Sequence, residues 1–310
     1  MTPASTSVPI RLALRGSARR RRRERTVRVI LLASALISIV ISAFIVYTVV
    51  AEATKFLAKV DLTKLVGQIG WFPRRGLFDI PTLLLGSAMV TGIAMLIAVP
   101  IGLASAVFLS EYSTPRVRRV VKPLLEILAG IPSIVFGYFA LTVINPDVVQ
   151  ALVPRAPAFT ILAASVGVGI LSIPLVASVA EDAMRAVPRS LREASYGLGA
   201  RKLTTSVRVV FPAAISGIVA AVILATSRAV GETMVVALAA GSTGTRTLDP
   251  LQPGQTMTAA MAALAIGSDQ VAGATNAFQS LFFVGLLLFV ITLALNVLGD
   301  AFVRRTRQRY

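Results

Sequence analysis

The sequence predicts an all-α polytopic membrane protein with six transmembrane helices, and three observations lead there. Of 310 residues, 55% are hydrophobic and only 15% charged, with a mean hydropathy of +0.80; a soluble core has no room for so much apolar surface. Apolar runs of about 20 residues, enough to cross ~30 Å of hydrocarbon at about 1.5 Å per residue, recur along the chain. Their length argues against a barrel, whose strands alternate over about 10 residues.

A basic tail, residues 1–26, opens the chain and holds "RRRRRER" at 19–25. The first run, Val27 to Val50, follows. Tail and run also fit a cleaved signal peptide, with Ala51 and Ala53 at the cut, but 24 apolar residues exceed the usual 7 to about 15 of such peptides, so a retained helix is favoured. Residues 51–81 are mixed in character. Their "WFPRRG" at 71–76 is an aromatic and basic edge suited to the membrane interface, expected to pack over the mouth of the bundle.

The second run extends from Thr82 to Leu109, with Pro100 and Gly102 near its far end. The third covers Leu124 to Ile144 and the fourth Phe159 to Ala180. Pro132 and Pro174 are expected to kink these two, and Glu126 to snorkel to the interface. A loop at 181–212 leads to the fifth run, Ala213 to Ala240. The segment 241–277 opens with "GSTGT", carries Pro250 and Pro253, and includes "MTAAMAALAIG" at 257–267. Eleven residues are too few to span, which points to a re-entrant or surface helix. The sixth run, Phe278 to Phe302, completes a core at 82–303, and a basic tail at 304–310 ends the chain.

The net charge of +17 raises the question of nucleic acid, and its distribution answers it. With the amino terminus in the cytosol, residues 11–28 hold nine Lys or Arg, the second-to-third loop four, the fourth-to-fifth loop six and the carboxyl tail four. That places 23 of 31 on one side and seven on the other, with Arg228 inside a span. The positive-inside bias therefore puts both termini in the cytosol and accounts for the basicity without nucleic acid. There is no Cys and no His, which excludes the usual thiolate and imidazole metal sites. No cofactor, metal or catalytic residue is predicted. The phosphate-loop pattern G-x-x-x-x-G-K-[ST] does not occur, so any ATP is handled elsewhere.

The loop 181–212 spans 32 residues, long for a bundle connection. Pro188 suits a first helical position, and Leu191, Ala194 and Leu198 recur at helical spacing opposite Arg189, Arg192 and Glu193. "GLGA" at 197–200 would close that helix, Gly tolerating the left-handed cap. A second short basic helix, 203–210, would follow. On spacing alone two readings stay open: a solvated amphipathic linker, or a docking element for a soluble partner.

"EASYGLGARKLTTSVRVVFP" at 193–212 resembles the EAA loop of ABC importer permeases. Glu193, Ala194, Gly199 and Pro212 fall on its pattern, while Ser195, Val209 and Phe211 depart from it in size. "AVPIGLASAVFLSEYS" at 98–113, "EILAGIPSIVFGYFALTVINP" at 126–146 and "SRAVGETMVV" at 227–236 resemble the permeases of phosphate importers, the PstC and PstA subunits. "TMTAAMA" at 256–262 leans toward PstC. The resemblance implies the type I ABC importer permease fold in a bacterial cytoplasmic membrane. It also implies a heterodimer with a related permease, two ATPase subunits, an external phosphate-binding protein, and no enzymatic activity in this chain. Coupling to the ATPase would fall to Arg189, Leu191, Arg192, Glu193, Ala194, Leu198 and Gly199.

Two charges stand inside the fifth run. On a continuous helix from Ala213, Arg228 lies about 22 Å along. Facing lipid there costs roughly 2.5 to 3.5 kcal/mol on insertion scales, so Arg228 and Glu232 are expected to face protein or water. Gly217, Ala221, Ala225, Arg228 and Glu232 share a sector of about 80°, and the i, i+4 spacing allows an ion pair. Such a pair either locks the helix or opens during transport. In the second case Arg228, with its forked donors, guides an oxyanion, Glu232 tunes it, and Ser227 and Thr233 add hydroxyls. Alternatives are a permease for another oxyanion, or a proton-coupled secondary transporter using Glu232, in which the long loop has no purpose.

Overall fold

The computed structural model describes residues 18–67, 70–266 and 276–306. Among the described residues five helical stretches are long and apolar enough to cross a bilayer: Arg22–Lys59, Ile80–Tyr112, Ser133–Leu152, Ile161–Arg185 and Ala277–Arg305. A sixth arises if Lys202–Ala213 and Ile215–Val230, bent by 70° at their junction, make one broken span. Among the described residues no strand is formed.

Two units divide the chain at Ala51. The first contains most of helix α1, Ala18–Lys59, whose apolar side chains from Val27 to Ile45 are exposed. The second, residues 52–310, is the bundle. Its helices are α2 (Ile80–Val107), α3 (Pro115–Ala129), α4 (Ser133–Phe139), α5 (Ile161–Arg185), α6 (Arg189–Gly197), α7 (Ile215–Val230), α8 (Met234–Ala239), α9 (Met257–Ile266) and α10 (Ala277–Thr306). π-helical segments extend α2 through Phe108–Tyr112 and α4 through Ala140–Val149.

α5 is the central post, with two thirds of its apolar window buried. Close approach to it depends on small residues, as expected where lipid offers helices no hydrophobic drive to associate. A Cβ on Gly102 of α2 would come within 2.7 Å of Val176, and one on Gly217 of α7 within 2.4 Å of Ala183. Pro174 sits inside α5 without dividing it. The start of α5 is closed by its own cap and by the 241–256 loop. Thr160 Oγ1 accepts from Ala163 N, while Ile161 N and Leu162 N donate to the carbonyls of Gln252 and Pro250 at 3.1 and 2.8 Å. Orphan N–H groups at a buried helix end thus find partners.

Two apolar runs are divided where the sequence reads as continuous. The run Leu124 to Ile144 breaks at Gly130–Pro132: Pro132 is extended (ψ 133) and caps α4. Leu124–Ala129 belong to the amphipathic α3 that begins at Thr114–Pro115. Arg118 and Lys122 tie α3 to Glu181 of α5, and α3 has no buried residue, so Glu126 rides on an exposed helix rather than in a span. The run Ala213 to Ala240 breaks after Val230.

On the side away from the cationic loops, Phe56, Leu65, Trp71 and Phe78 pack with Leu83, Met257, Ala260 and Val284. The 51–81 segment therefore covers the outer ends of α2, α9 and α10. α9 buries Met257, Thr258, Ala259, Ala260 and Leu264, so this ten-residue helix is inserted among its neighbours rather than laid on a surface.

Gly86 of α2 marks how closely the 241–256 loop approaches: a Cβ there would lie 2.2 Å from the Gln255 carbonyl oxygen. Gly86→Ala should lower thermal stability in detergent by about 1 to 3 kcal/mol. Gly92→Ala, with nothing within 4 Å, should leave it unchanged.

Candidate functional site

Arg228 occupies the last turn of α7, where a cation complements the helix dipole. Gly231 ends the helix: its N–H and that of Glu232 reach back only three residues, to Arg228 O and Ala229 O at 3.1 and 3.2 Å. This tightening lifts Glu232 off the helical face and into the break before α8. The pairing expected from i, i+4 spacing is therefore not formed. Neither residue takes part in an ion pair among the described residues. Arg228 is exposed, and Glu232 and Thr233 are half-buried. The seam of α7 runs through Ile218, Ala221, Ala225 and Ala229, so the charge stands beside the small-residue face rather than on it.

The break is held by hydroxyls. Thr258 Oγ1 on α9 donates to the Glu232 carbonyl at 2.7 Å, and Thr233 Oγ1 donates to the Gly231 carbonyl at 3.1 Å. α4 crosses α8 closely enough that a Cβ on Gly137 would lie 2.8 Å from Met234 O. Ser227 Oγ donates to Asn296 Oδ1 on α10 at 3.2 Å, which commits that hydroxyl to helix packing. The polar atoms of an interrupted membrane helix are thus met by its neighbours, while the Arg228 guanidinium is left open.

The EAA-like loop contains α6, ended by Gly199 at φ +76. Gly199 N donates to Tyr196 O and Ala200 N to Ser195 O at 2.9 and 3.1 Å, the paired bonds of a Schellman cap. Pro188 precedes α6 as its cap rather than opening it. The seven loop residues divide by exposure. Arg189, Glu193, Ala194, Leu198 and Gly199 face outward, and Leu198 is 91% exposed. Leu191 packs on the cluster of Met184, Val187 and Val210.

Arg192 also turns inward. Its Nη2 contacts Glu111 Oε1 at 2.9 Å and the Met184 carbonyl at 2.8 Å, its Nη1 donates to the Val187 carbonyl at 2.7 Å, and its Nε reaches Glu111 Oε2 at 3.4 Å. One guanidinium therefore fastens α6 to the ends of α2 and α5.

Three carboxylates that the sequence reading passed over fix the bundle at its two faces. Glu111 is the first. Glu181, with no exposed side-chain surface, is held by Arg118 at 2.7 Å, Lys122 at 2.9 Å and Arg185 at 3.7 Å. The Arg118 Nε contact is an ion contact without hydrogen-bond alignment. Burial depresses the Lys122 pKa, but hydrogen bonds to Asp182 and Glu181 outweigh that and raise it above 10.5. Its stabilising contribution is therefore complete below 10.5 and is lost only as pH climbs through the raised value.

Asp79 is the third, on the opposite face. Arg246 binds it through Nη2 at 2.7 Å and Nε at 3.2 Å, with Gly70 N and the Thr82 hydroxyl completing its shell. Asp79 ahead of Ile80–Pro81 reads as a helix cap, but nothing in the sequence pairs it with a residue 167 positions away. Among the described residues no group of three or more His, Cys, Asp or Glu is placed to hold a metal.

This architecture is that of the membrane subunits of ABC importers. A bacterial alginate ABC transporter, solved with its alginate-bound periplasmic protein, matches with a TM-score of 0.62 at 12% identity, over 92% of this chain and 98% of its own. The inward-facing MetNI methionine ABC transporter matches at 0.56 and 19%, over 74% and 100%. More specifically, residues 98–308 match the family described as binding-protein-dependent transport system inner membrane component, and the chain belongs to that family. The probable ABC transporter permease protein YqgH of Bacillus subtilis is 32% identical over 86% of both chains. The phosphate transport system permease protein PstC of Xylella fastidiosa is 31% identical over 77% of this chain and 78% of its own. PstA 1 of Mycobacterium tuberculosis is 40% identical over 54% and 52%.

Lysine in place of arginine keeps the charge but loses the fork that holds Glu111 and two carbonyls. Arg192→Lys should therefore cost about 1.5 to 3 kcal/mol of stability, read by thermal unfolding of the purified chain. Glu193→Gln, at an exposed site with no ion pair among the described residues, should stay within about 0.5 kcal/mol. Equal stability of the two variants would contradict the fastening role.

Proposed function

We propose that this chain is a permease subunit of an ATP-driven phosphate importer, and that phosphate passes by the break between α7 and α8. The observation that carries this reading is Arg228. It is an open guanidinium at the end of a membrane helix, four residues before a half-buried carboxylate, in a chain whose relatives bear phosphate-transport names. An arginine stays ionised and offers several donors to a tetrahedral oxyanion. Left facing hydrocarbon it would be costly, which favours a polar route or a subunit boundary on that side.

In this reading residues 82–303 form the permease core and both termini lie in the cytosol, on the face carrying the excess of Lys and Arg. A related permease completes the pathway, two ATPase subunits power the complex through contacts that include the exposed residues of α6, and an external binding protein delivers the anion. Arg189, Glu193, Ala194, Leu198 and Gly199 meet the ATPase. Leu191 and Arg192 pass the motion on to α2 and α5, so that ATP-driven closure tilts the helices and opens the cavity outward. Transport requires weak, state-dependent affinity. An Arg228 not permanently neutralised by Glu232 attracts the anion, and a nearby carboxylate limits how tightly it is held.

Arg228→Gln and Arg228→Lys should reduce phosphate uptake by at least tenfold in cells or proteoliposomes carrying the whole complex, while membrane insertion and assembly stay normal. Full uptake by either variant would reduce Arg228 to a packing role.

A further inference from the structure

On the face opposite the cationic loops, the 70–76 turn and the 241–256 loop enclose a cavity of about 350 Å³ with α9 as its apolar wall. Arg74 and Arg75 line it, adjacent on the tight turn Pro73–Arg75 that Gly76 closes at φ 70. Both are exposed, and neither has a carboxylate partner among the described residues. The Arg75 guanidinium rests 5.7 Å from the centre of the Phe72 ring. Among the described residues no Asp or Glu lines the cavity, and the buried carboxylate Asp79 is already neutralised by Arg246. These two arginines are part of a small set, because only seven of 31 Lys and Arg fall on this side of the membrane in the charge distribution read from the sequence.

The walls add further polar groups. Ser242 holds φ 47, a backbone conformation uncommon outside glycine and a form of strain that accompanies functional loops; it brings a hydroxyl to the lining, where Thr243 Oγ1 donates to the Gly241 carbonyl at 3.5 Å. Trp71 and Gln255 also line it, 2% and 7% exposed. Trp71 Nε1 and Gln255 Oε1 are buried without hydrogen-bond partners, and unmet buried polar atoms of this kind call for a ligand or an ordered water. The frame around them is fixed. Trp71 N donates to Gly244 O at 2.7 Å, and a Cβ on Gly244 would lie 2.1 Å from Trp71 O.

We infer that this cavity binds a phosphate-class oxyanion on the outer face, with Arg74 and Arg75 as charged donors and the Ser242 hydroxyl and Trp71 Nε1 as neutral ones. A hydrogen phosphate would also supply the O–H that Gln255 Oε1 lacks. The inference rests on the proposed phosphate reading for its substrate and adds a second station to it. Gln255 lies three residues before Thr258, whose hydroxyl binds the Glu232 carbonyl, so the same stretch of chain supplies the cavity wall and holds the α7–α8 break. The same chemistry fits two sources, free phosphate and the headgroup of an anionic phospholipid.

Trp71 is the sole tryptophan, so its emission reports this cavity directly. The full chain in neutral detergent is titrated with sodium phosphate against sodium chloride at matched ionic strength. It is then placed in nanodiscs with and without phosphatidylglycerol. A saturable emission change with phosphate is expected, with half-saturation raised at least tenfold in Arg74→Gln/Arg75→Gln. A change produced only by phosphatidylglycerol, and lost in the double variant, identifies the headgroup as the source. No change with either, or the same change in the double variant, overturns the inference. If the complex fails to import phosphate while Trp71 still responds, the transport reading fails and the site stands.

Discussion

A membrane helix that stops inside the apolar slab must find partners for its backbone, and that requirement organises the core of this chain. α7 ends at Gly231, and the groups it frees are taken up within the break and by Thr258 of α9. α9 can reach that position only because it is inserted among its neighbours, and α4 can cross α8 there only because Gly137 has no side chain. The break therefore depends on three separate pieces of chain, and it leaves one strong donor, Arg228, without an ion-pair partner among the described residues. Because the polar cost of breaking the helix is met by hydroxyls, the guanidinium remains available.

The same logic appears in reverse at the two faces of the bundle, where charges are satisfied internally. Glu181 and Glu111 gather cations from α3, α5 and α6, and Asp79 joins the 241–256 loop to the start of α2 through Arg246. Removing one partner from a buried pair of this kind is far more damaging than the pair is stabilising. These contacts are accordingly best understood as fixing geometry. Arg192 shows the consequence most clearly: a residue on the exposed loop is spent on holding the loop, which lets motion of α6 reach two spanning helices as a unit.

Much of the fold was legible because bilayer thickness sets a length and glycine sets contact distance. The apolar runs located the spans, and "GLGA" correctly announced the Schellman end of α6. What failed was continuity. A run such as Leu124 to Ile144 stays apolar through Gly130–Pro132, yet the chain turns there, because hydropathy does not register a missing N–H or an extended ψ. The same blindness merged α7 with α8 and so placed Arg228 and Glu232 on one helical face.

Of the candidate site, the residue types were readable and their relations were not. Arg228 and Glu232 stood out by charge in an apolar run. The separation of Arg192 from Glu193 into inward and outward roles depends on Glu111, 81 positions away, and the clamp on Asp79 depends on Arg246. Pairings of that range are set by tertiary packing and carry no local pattern.

The central claim is that the break between α7 and α8 faces a polar route rather than lipid or dry packing. Because the chain has no cysteine, Thr233→Cys introduces a unique thiol at the break. Its reaction with a charged, membrane-impermeant thiosulfonate is measured by mass on this chain in the assembled transporter. The account predicts labelling that slows with saturating phosphate; a thiol that reacts only with a lipid-soluble maleimide, or not at all, would contradict it.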